Sequence, residues 1–189
     1  MNKTEFLKSF QLNRLQPSFH QFEYPYQIKP AAVLIGLIEQ DEQLMVLLTK
    51  RASHLKHHAG QISFPGGKVE EIDKSPADTA KREAWEEIGL PQHNVDIIGQ
   101  LKSYQTISGF VVSPLVAIVK APEEYFLDEN EVAELFTVPL SFFLDSNNHH
   151  KVYTNHKGKR HPVYFIQYQQ HNIWGATAAM LIDLVKHIQ

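Results

Sequence analysis

The chain lacks cysteine altogether, and its longest apolar run, Ala31–Ile38, is only eight residues of the 189. Without cysteine there is no disulfide framework, no thiolate metal site and no cysteine nucleophile. Eight apolar residues fall far short of the ~20 that a membrane-spanning helix needs. The polar start, Met1-Asn2-Lys3-Thr4-Glu5, also lacks the apolar core of a signal peptide. A cytoplasmic protein without membrane contact is therefore the expectation. Excess positive charge is missing too: 18 Lys and Arg against 21 Asp and Glu leave a net charge of -3. That balance opposes a nucleic-acid binder held by phosphate attraction. Repeats, low-complexity tracts and linker-like stretches are absent as well.

What remains is a chain with 43% hydrophobic and 11% aromatic residues, enough for one domain with a real core. Residues 1–12 read as a short helix within an N-terminal extension, residues 1–30, punctuated by Pro17, Pro25 and Pro30. Its aromatics Phe19, Phe22, Tyr24 and Tyr26 are expected to pack on the body, covering the sheet or contributing to a homodimer contact. The main domain, residues 31–189, opens with strands at Ala31–Glu39 and Gln43–Thr49 joined as a hairpin across Gln40-Asp41-Glu42. A long aperiodic stretch follows, Lys50 to Lys74, and loops of that length are more often functional than idle.

Ser75 caps the next helix, Pro76 opens it, and Gly89 and Pro91 end it. Ala77, Ala80, Ala84 and Ile88 give it an apolar face. Further strands are expected at Val95–Tyr104, Val111–Lys120, Val152–Asn155 and Val163–Tyr168, and the tail Trp174–Ile188 reads as a packed helix. Together these predict an α/β fold with a mixed central sheet covered by helices.

On the Ser75 helix, Glu83, Glu86 and Glu87 stand at i, i+3 and i+4 and share one face. Like charges so placed repel, each i,i+4 pair costing about 0.2–0.5 kcal/mol. A hard divalent cation removes that conflict, because Mg²⁺ takes oxygen ligands and bridges carboxylates to substrate phosphates. An acidic helix face turned to solvent is the plainer reading of the triplet alone. His54, His57 and His58 invite a zinc reading, but no further ligand completes a four-coordinate set.

The surrounding residues decide between these readings. Phe64-Pro65-Gly66-Gly67-Lys68, then Asp73, then Arg82-Glu83-Ala84-Trp85-Glu86-Glu87-Ile88-Gly89-Leu90 resembles the Nudix box, G-x5-E-x7-R-E-U-x-E-E-x-G-U. Gly67 matches its first glycine and Arg82–Leu90 its whole distal half. Asp73 departs from the pattern's Glu, and eight residues rather than seven separate it from Arg82. The resemblance implies the Nudix α/β/α sandwich and metal-dependent hydrolysis of a nucleoside diphosphate linked to another moiety. It implies that Glu83, Glu86, Glu87 and the Gly67 carbonyl hold Mg²⁺ or Mn²⁺, and that Arg82 orients a catalytic carboxylate. Asp73 is expected to brace the loop or helix start. The general base is Glu83 or, outside the box, Glu131, which otherwise reads as an exposed residue of an edge strand or turn.

A second stretch narrows the substrate. Leu47-Leu48-Thr49-Lys50-Arg51-Ala52, with Lys56, Gly60 and Phe64-Pro65-Gly66-Gly67, is similar to the segment before the box in coenzyme A pyrophosphatases of the Nudix superfamily. Ala52 and Lys56 replace the subgroup's Ser and Arg. The tail Ile173-Trp174-Gly175-Ala176-Thr177-Ala178 is also similar. This implies cleavage of coenzyme A or acyl-coenzyme A to 3′,5′-ADP and 4′-phosphopantetheine species, with Arg51, Lys50 and Lys56 as substrate-binding residues. Residues 47–69 carry four Lys and Arg and no acid, whereas residues 70–90 carry seven acids against three bases. A broader Nudix pyrophosphatase acting on nucleotide sugars, ADP-ribose or nucleoside triphosphates is the second reading, and a non-catalytic nucleotide sensor the third.

Overall fold

Residues Lys29–Gln40 (β1) form the strand around which the rest is arranged. The computed structural model describes residues 1–15, 28–156 and 159–189. The expected packing of Phe19, Phe22, Tyr24 and Tyr26 thus lies outside the described residues. β1 alternates strictly: Ala31, Ile35 and Leu37 enter one core and Ala32 and Leu34 the other. A strand apolar on both faces must be covered on both.

β2 (Gln43–Arg51) returns antiparallel through a two-residue turn in which Asp41 and Glu42 both have positive φ, 48° and 61°. On the other side, β7 (Phe110–Val119) runs parallel to β1 along ten register pairs, Lys29↔Phe110 to Ile38↔Val119. β5 (Val95–Gln100) and β6 (Tyr104–Gln105) extend the sheet antiparallel to β7, with a bulge between Ile97 and Gly99. β8 (Val132–Pro139) pairs with β2, from Met45↔Pro139 to Arg51↔Val132. One parallel pair among antiparallel ones makes the sheet mixed.

α2 (Pro76–Ile88) covers one face, burying Ala80, Ala84 and Ile88 against Ala32, Leu34, Leu47 and Ala117. The other face carries α1 (Lys3–Leu12), α3 (Leu140–Leu144) and α4 (Gly175–Ile188), with Phe6, Phe143, Leu181 and Leu184 in one cluster with Ile35, Leu37, Val46 and Leu48. Each fully buried Leu, Ile or Phe there contributes about 1.5–3 kcal/mol. The result is an α/β/α sandwich. α1 is seated by Phe10, whose carbonyl lies 2.9 Å from His187 Nε2 and whose ring lies where a Cβ on Gly99 would stand, 2.7 Å away.

Two features differ from the sequence expectation. β8 is not among the expected strands; among the described residues it pairs only with β2, at the edge of the sheet, and Glu131 stands exposed in the turn before it. Its burial does not alternate, so its sequence shows no period. A second antiparallel sheet also forms, from β9 (His150–His156), β10 (Lys159–Tyr168) and β11 (His171–Trp174). It docks on the main body through Ile166 and Ile173, both fully buried. Among the described residues, no helix is long and apolar enough to cross a membrane.

Candidate active site

The site begins where β2 parts from β1. Their pairing covers Leu37↔Val46 to Gln40↔Gln43; farther along, β2 pairs with β3 (Ile62–Ser63) at Thr49↔Ser63 and Lys50↔Ile62, while β8 pairs with it from Met45 through Arg51. The vacated edge of β1 is taken by β4 (Gly66–Lys68), with Val33↔Gly66, Ala32↔Gly67 and Ala31↔Lys68. Glycine alone fits here without displacing a neighbour. A Cβ on Gly66, at φ 154°, would lie 2.4 Å from the Ala32 carbonyl oxygen, and one on Gly67 would lie 2.3 Å from Glu83 Oε1. The backbone therefore touches the carboxylate of α2 directly. Gly67→Ala is expected to displace the Glu83 carboxylate and lower turnover about 10²-fold. Its melting temperature should stay near that of the wild type, since a side-chain tip can move aside; steady-state rates and thermal melts check this.

α2 is fixed at both ends. The Ser75 hydroxyl accepts from the Asp78 backbone N–H, and Gly89 stops the helix in the left-handed region at φ 65°. That fixes the rotation presenting Arg82, Glu83, Glu86 and Glu87 toward β4. Arg82, though 8% exposed, is fully engaged. Its Nε and Nη2 donate to both Asp73 oxygens at 3.0 Å, Nη2 to the Lys68 carbonyl at 3.0 Å and Nη1 to Glu86 at 2.7 Å. Nη2 also pairs with Glu83 Oε1 at 3.1 Å. Asp73 further accepts from the Thr79 hydroxyl and the Glu70 N–H, both at 2.9 Å. The Arg82 hydrogen bond foremost holds the Asp73 carboxyl down to about 2, and the same bond raises the guanidinium. Asp73 is thus a brace between loop and helix, and Arg82 positions Glu83 and Glu86.

The carboxylates differ sharply in exposure. The Glu87 side chain is 5% exposed and the Glu86 side chain 54%. Burial pushes Glu87 up to about 8, against the Gly66 N–H at 3.2 Å and with Glu83 and Glu131 adding to the rise. Burial also raises Glu83, with Glu86 and Glu131 contributing and Arg82 opposing. Glu131 therefore acts electrostatically on this cluster although its backbone belongs to the turn before β8, where its carbonyl accepts from Ala52 N–H. Arg51 Nη1, from the end of β2, lies 4.0 Å from Glu87 Oε1.

The donor set suits a hard divalent cation: two buried carboxylates that are costly to ionise, a third that repels them, and backbone against Glu83. As they stand, no three carboxylate or imidazole groups among the described residues are gathered closely enough to hold an ion. Arg82 accounts for this, since it holds Glu83 and Glu86; Glu86 must exchange that partner to serve as a ligand.

Beside the cluster opens a cavity of about 510 Å³. Arg51 and Gly66 line it and also contact Glu87, so the cavity and the carboxylates share a boundary. Farther along, the wall is apolar, built from Tyr104, Ile107, Val163 and Trp174. His58 lines it too, its Nδ1 2.7 Å from Gln61 Oε1. Of the residues expected to bind substrate, Arg51 is brought here. Lys50 and exposed Lys56 are not part of the described lining.

The sequence pattern of the NUDIX domain matches residues 28–156. The chain is also 39% identical to the protein described as "Uncharacterized Nudix hydrolase NudL" of Pectobacterium atrosepticum, over 97% of this chain and 93% of that one. The chain belongs to the Nudix hydrolases. Another NudL, from Yersinia pestis, is 38% identical over 98% of this chain and 94% of its own length. In fold, this Nudix hydrolase is similar to a MutT/nudix family protein from Enterococcus faecalis, with TM-score 0.55 and 17% identity over 98% of this chain and 73% of that one. It is also similar to RenU of M. smegmatis, with TM-score 0.51 and 22% identity over 61% and 74%. Nudix hydrolases act on pyrophosphate bonds and generally use divalent metal cations.

Sequence reasoning missed the turn at Thr106–Gly109, which lends Ile107 to the cavity, and the tie between the two sheets. In that tie His171 Nε2 lies 2.9 Å from Glu134 Oε1 and its ring stacks on Phe136 at 3.8 Å. No local signal announces a pair separated by 37 residues.

Proposed function

We propose that this Nudix hydrolase cleaves the pyrophosphate of coenzyme A or acyl-coenzyme A, releasing 3′,5′-ADP and 4′-phosphopantetheine species. The observation that carries the reading is Arg51. It belongs to the segment similar to coenzyme A pyrophosphatases, lines the cavity, and stands 4.0 Å from Glu87. A guanidinium there offers a planar fork to one phosphate of the pyrophosphate. The apolar wall beyond it offers surface to the long pantetheine arm.

In this reading Glu83, Glu86, Glu87 and the Gly67 carbonyl hold Mg²⁺ or Mn²⁺. The cation supplies Lewis-acid polarisation of phosphoryl oxygens and an acidified water. Arg82 keeps Glu83 and Glu86 aimed, and Asp73 keeps Arg82 in place. Glu131 and Glu83 are the two carboxylates that can take the proton of the attacking water; the Glu131 charge acts on both Glu83 and Glu87.

Arg51→Ala is expected to raise KM for coenzyme A roughly 10–100-fold, the scale of a lost charge-assisted contact, and to leave the cation requirement unchanged. The test incubates the protein with Mg²⁺ or Mn²⁺ and coenzyme A, ADP-ribose, a nucleotide sugar and a nucleoside triphosphate, with products identified by mass. Absence of phosphopantetheine alongside rapid cleavage of another substrate sinks the reading. The outlying position of Lys56 favours a second one, a broader Nudix pyrophosphatase, because one of the two expected phosphate contacts is not in the lining.

A further inference from the structure

We propose that the β9–β10 hairpin is a subsite for a phosphate carried outside the scissile pyrophosphate, namely the 3′-phosphate of the adenosine end of coenzyme A. This rests on the coenzyme A reading and adds to it where the far end of the substrate lies.

Charge is the first observation. Residues 146–182 contain Lys151, Lys157, Lys159 and Arg160 and not one Asp or Glu, in a chain whose net charge is -3. The acids facing this sheet come from other elements. Glu134 of β8 pairs with His171 at its base, and Asp183 of α4 acts on the Tyr164 hydroxyl. Neither belongs to the hairpin's outer half.

Placement is the second. In the antiparallel register Tyr164 faces Lys151, Pro162 faces Tyr153 and Arg160 faces Asn155. Directly opposed residues and those two positions along share one face. Pro162 and Tyr164 also line the cavity. A row therefore runs outward from the cavity lip: Tyr164, Lys151, Tyr153, Arg160. Lys151 Nζ is 5.9 Å from the Tyr164 ring centre and 5.2 Å from that of Tyr153, while Arg160 Cζ stacks 4.1 Å over Tyr153.

The chemistry is the third. Two cations laid against one exposed tyrosine are held on the strand rather than free in solvent, so less side-chain freedom is lost on binding an anion. A tyrosine flanked by Lys and Arg offers a phosphorylated nucleoside both a ring to stack on and a guanidinium fork. The cation already in the cavity, Arg51, is partly offset by Glu87. A substrate bearing a phosphate beyond its pyrophosphate needs further positive charge at the cavity mouth, and the hairpin provides it.

The experiment assays the full chain with Mg²⁺ on coenzyme A and on dephospho-coenzyme A, which lacks only the 3′-phosphate. The wild type is expected to prefer coenzyme A by about tenfold or more in kcat/KM, through KM. In Lys151→Ala/Arg160→Ala that preference should fall below about twofold, with hydrolysis of dephospho-coenzyme A unchanged. If the alanine pair melts early, Lys151→Gln/Arg160→Gln carries the same comparison. Competition by 3′,5′-ADP against 5′-AMP gives a binding readout, and the double variant should lose the difference between them. A substrate ratio equal to that of the wild type, or equal losses on both substrates, overturns the subsite and leaves the coenzyme A reading standing. A wild type that cleaves neither coenzyme but cleaves another nucleotide overturns both.

Discussion

Glu87→Gln is expected to lower kcat/KM by about 10³-fold or more, the several kcal/mol of transition-state charge stabilisation that a bound cation supplies. The same change should flatten the pH dependence of stability in chelator. Glu87 is buried and its carboxyl is raised to about 8 in the folded, metal-free protein, from an ordinary 4.5. A carboxyl raised on folding stabilises the protein fully below 4.5, and that contribution is lost as pH rises through about 8. Its full size is on the order of 5 kcal/mol. Metal-free wild type should therefore lose melting temperature between about pH 5 and pH 9, and Glu87→Gln should lose less. Added Mn²⁺ should raise the wild-type melting temperature at pH 8 and leave that of the variant unmoved. Melts in EDTA and in Mn²⁺, with steady-state rates, check all three. Full activity in Glu87→Gln would show that the carboxylate holds no catalytic ion.

The second large effect concerns Asp73. Asp73→Ala removes two acceptors from a nearly buried guanidinium, leaves the Thr79 hydroxyl only the Ser75 carbonyl at 3.4 Å, and takes the side-chain partner from the Glu70 N–H. Breaking one partner of a buried pair costs about 3–5 kcal/mol, which in a chain of this size lowers the melting temperature by roughly 10 °C. Turnover should fall as well, because Arg82 then closes on Glu83 and Glu86. The pH sign is opposite to that of Glu87. Asp73 is held down to about 2, so its contribution is present above 3.8 and is lost only as pH falls through 2. Acid melts of the wild type and the variant should converge there. Asp73→Glu, which restores the residue usual in the Nudix box, should recover part of the stability; a fall as large as that of alanine would mean that the loop accepts only the shorter side chain.

The two variants separate what was readable along the chain from what was not. Ser75, Pro76 and Gly89 bound the helix within a turn, and the spacing of Glu83, Glu86 and Glu87 put three carboxylates on one face; both follow from a 3.6-residue period and local capping chemistry. Spacing could not rank those carboxylates. Glu87 and Glu86 are neighbours in sequence, yet one is buried against Gly66 and the other half-exposed on Arg82, a difference fixed by β4 seated on β1. Arg51 and Lys50 are both expected from the sequence to bind substrate, yet of the two only Arg51 lines the cavity, and a bulge in the β2–β8 pairing falls between them.

The chain's own order thus determined the helix, its acid face, the glycine loop, the α/β class and the family. Those signals are local, carried by backbone preferences and by positions within one element. Tertiary structure alone decided which carboxylate is raised, that Asp73 locks Arg82, that Glu131 acts on the cluster from the turn before β8, and that a basic aromatic hairpin stands at the cavity mouth. These depend on burial and on charges far apart in sequence, and neither exists until the strands have paired.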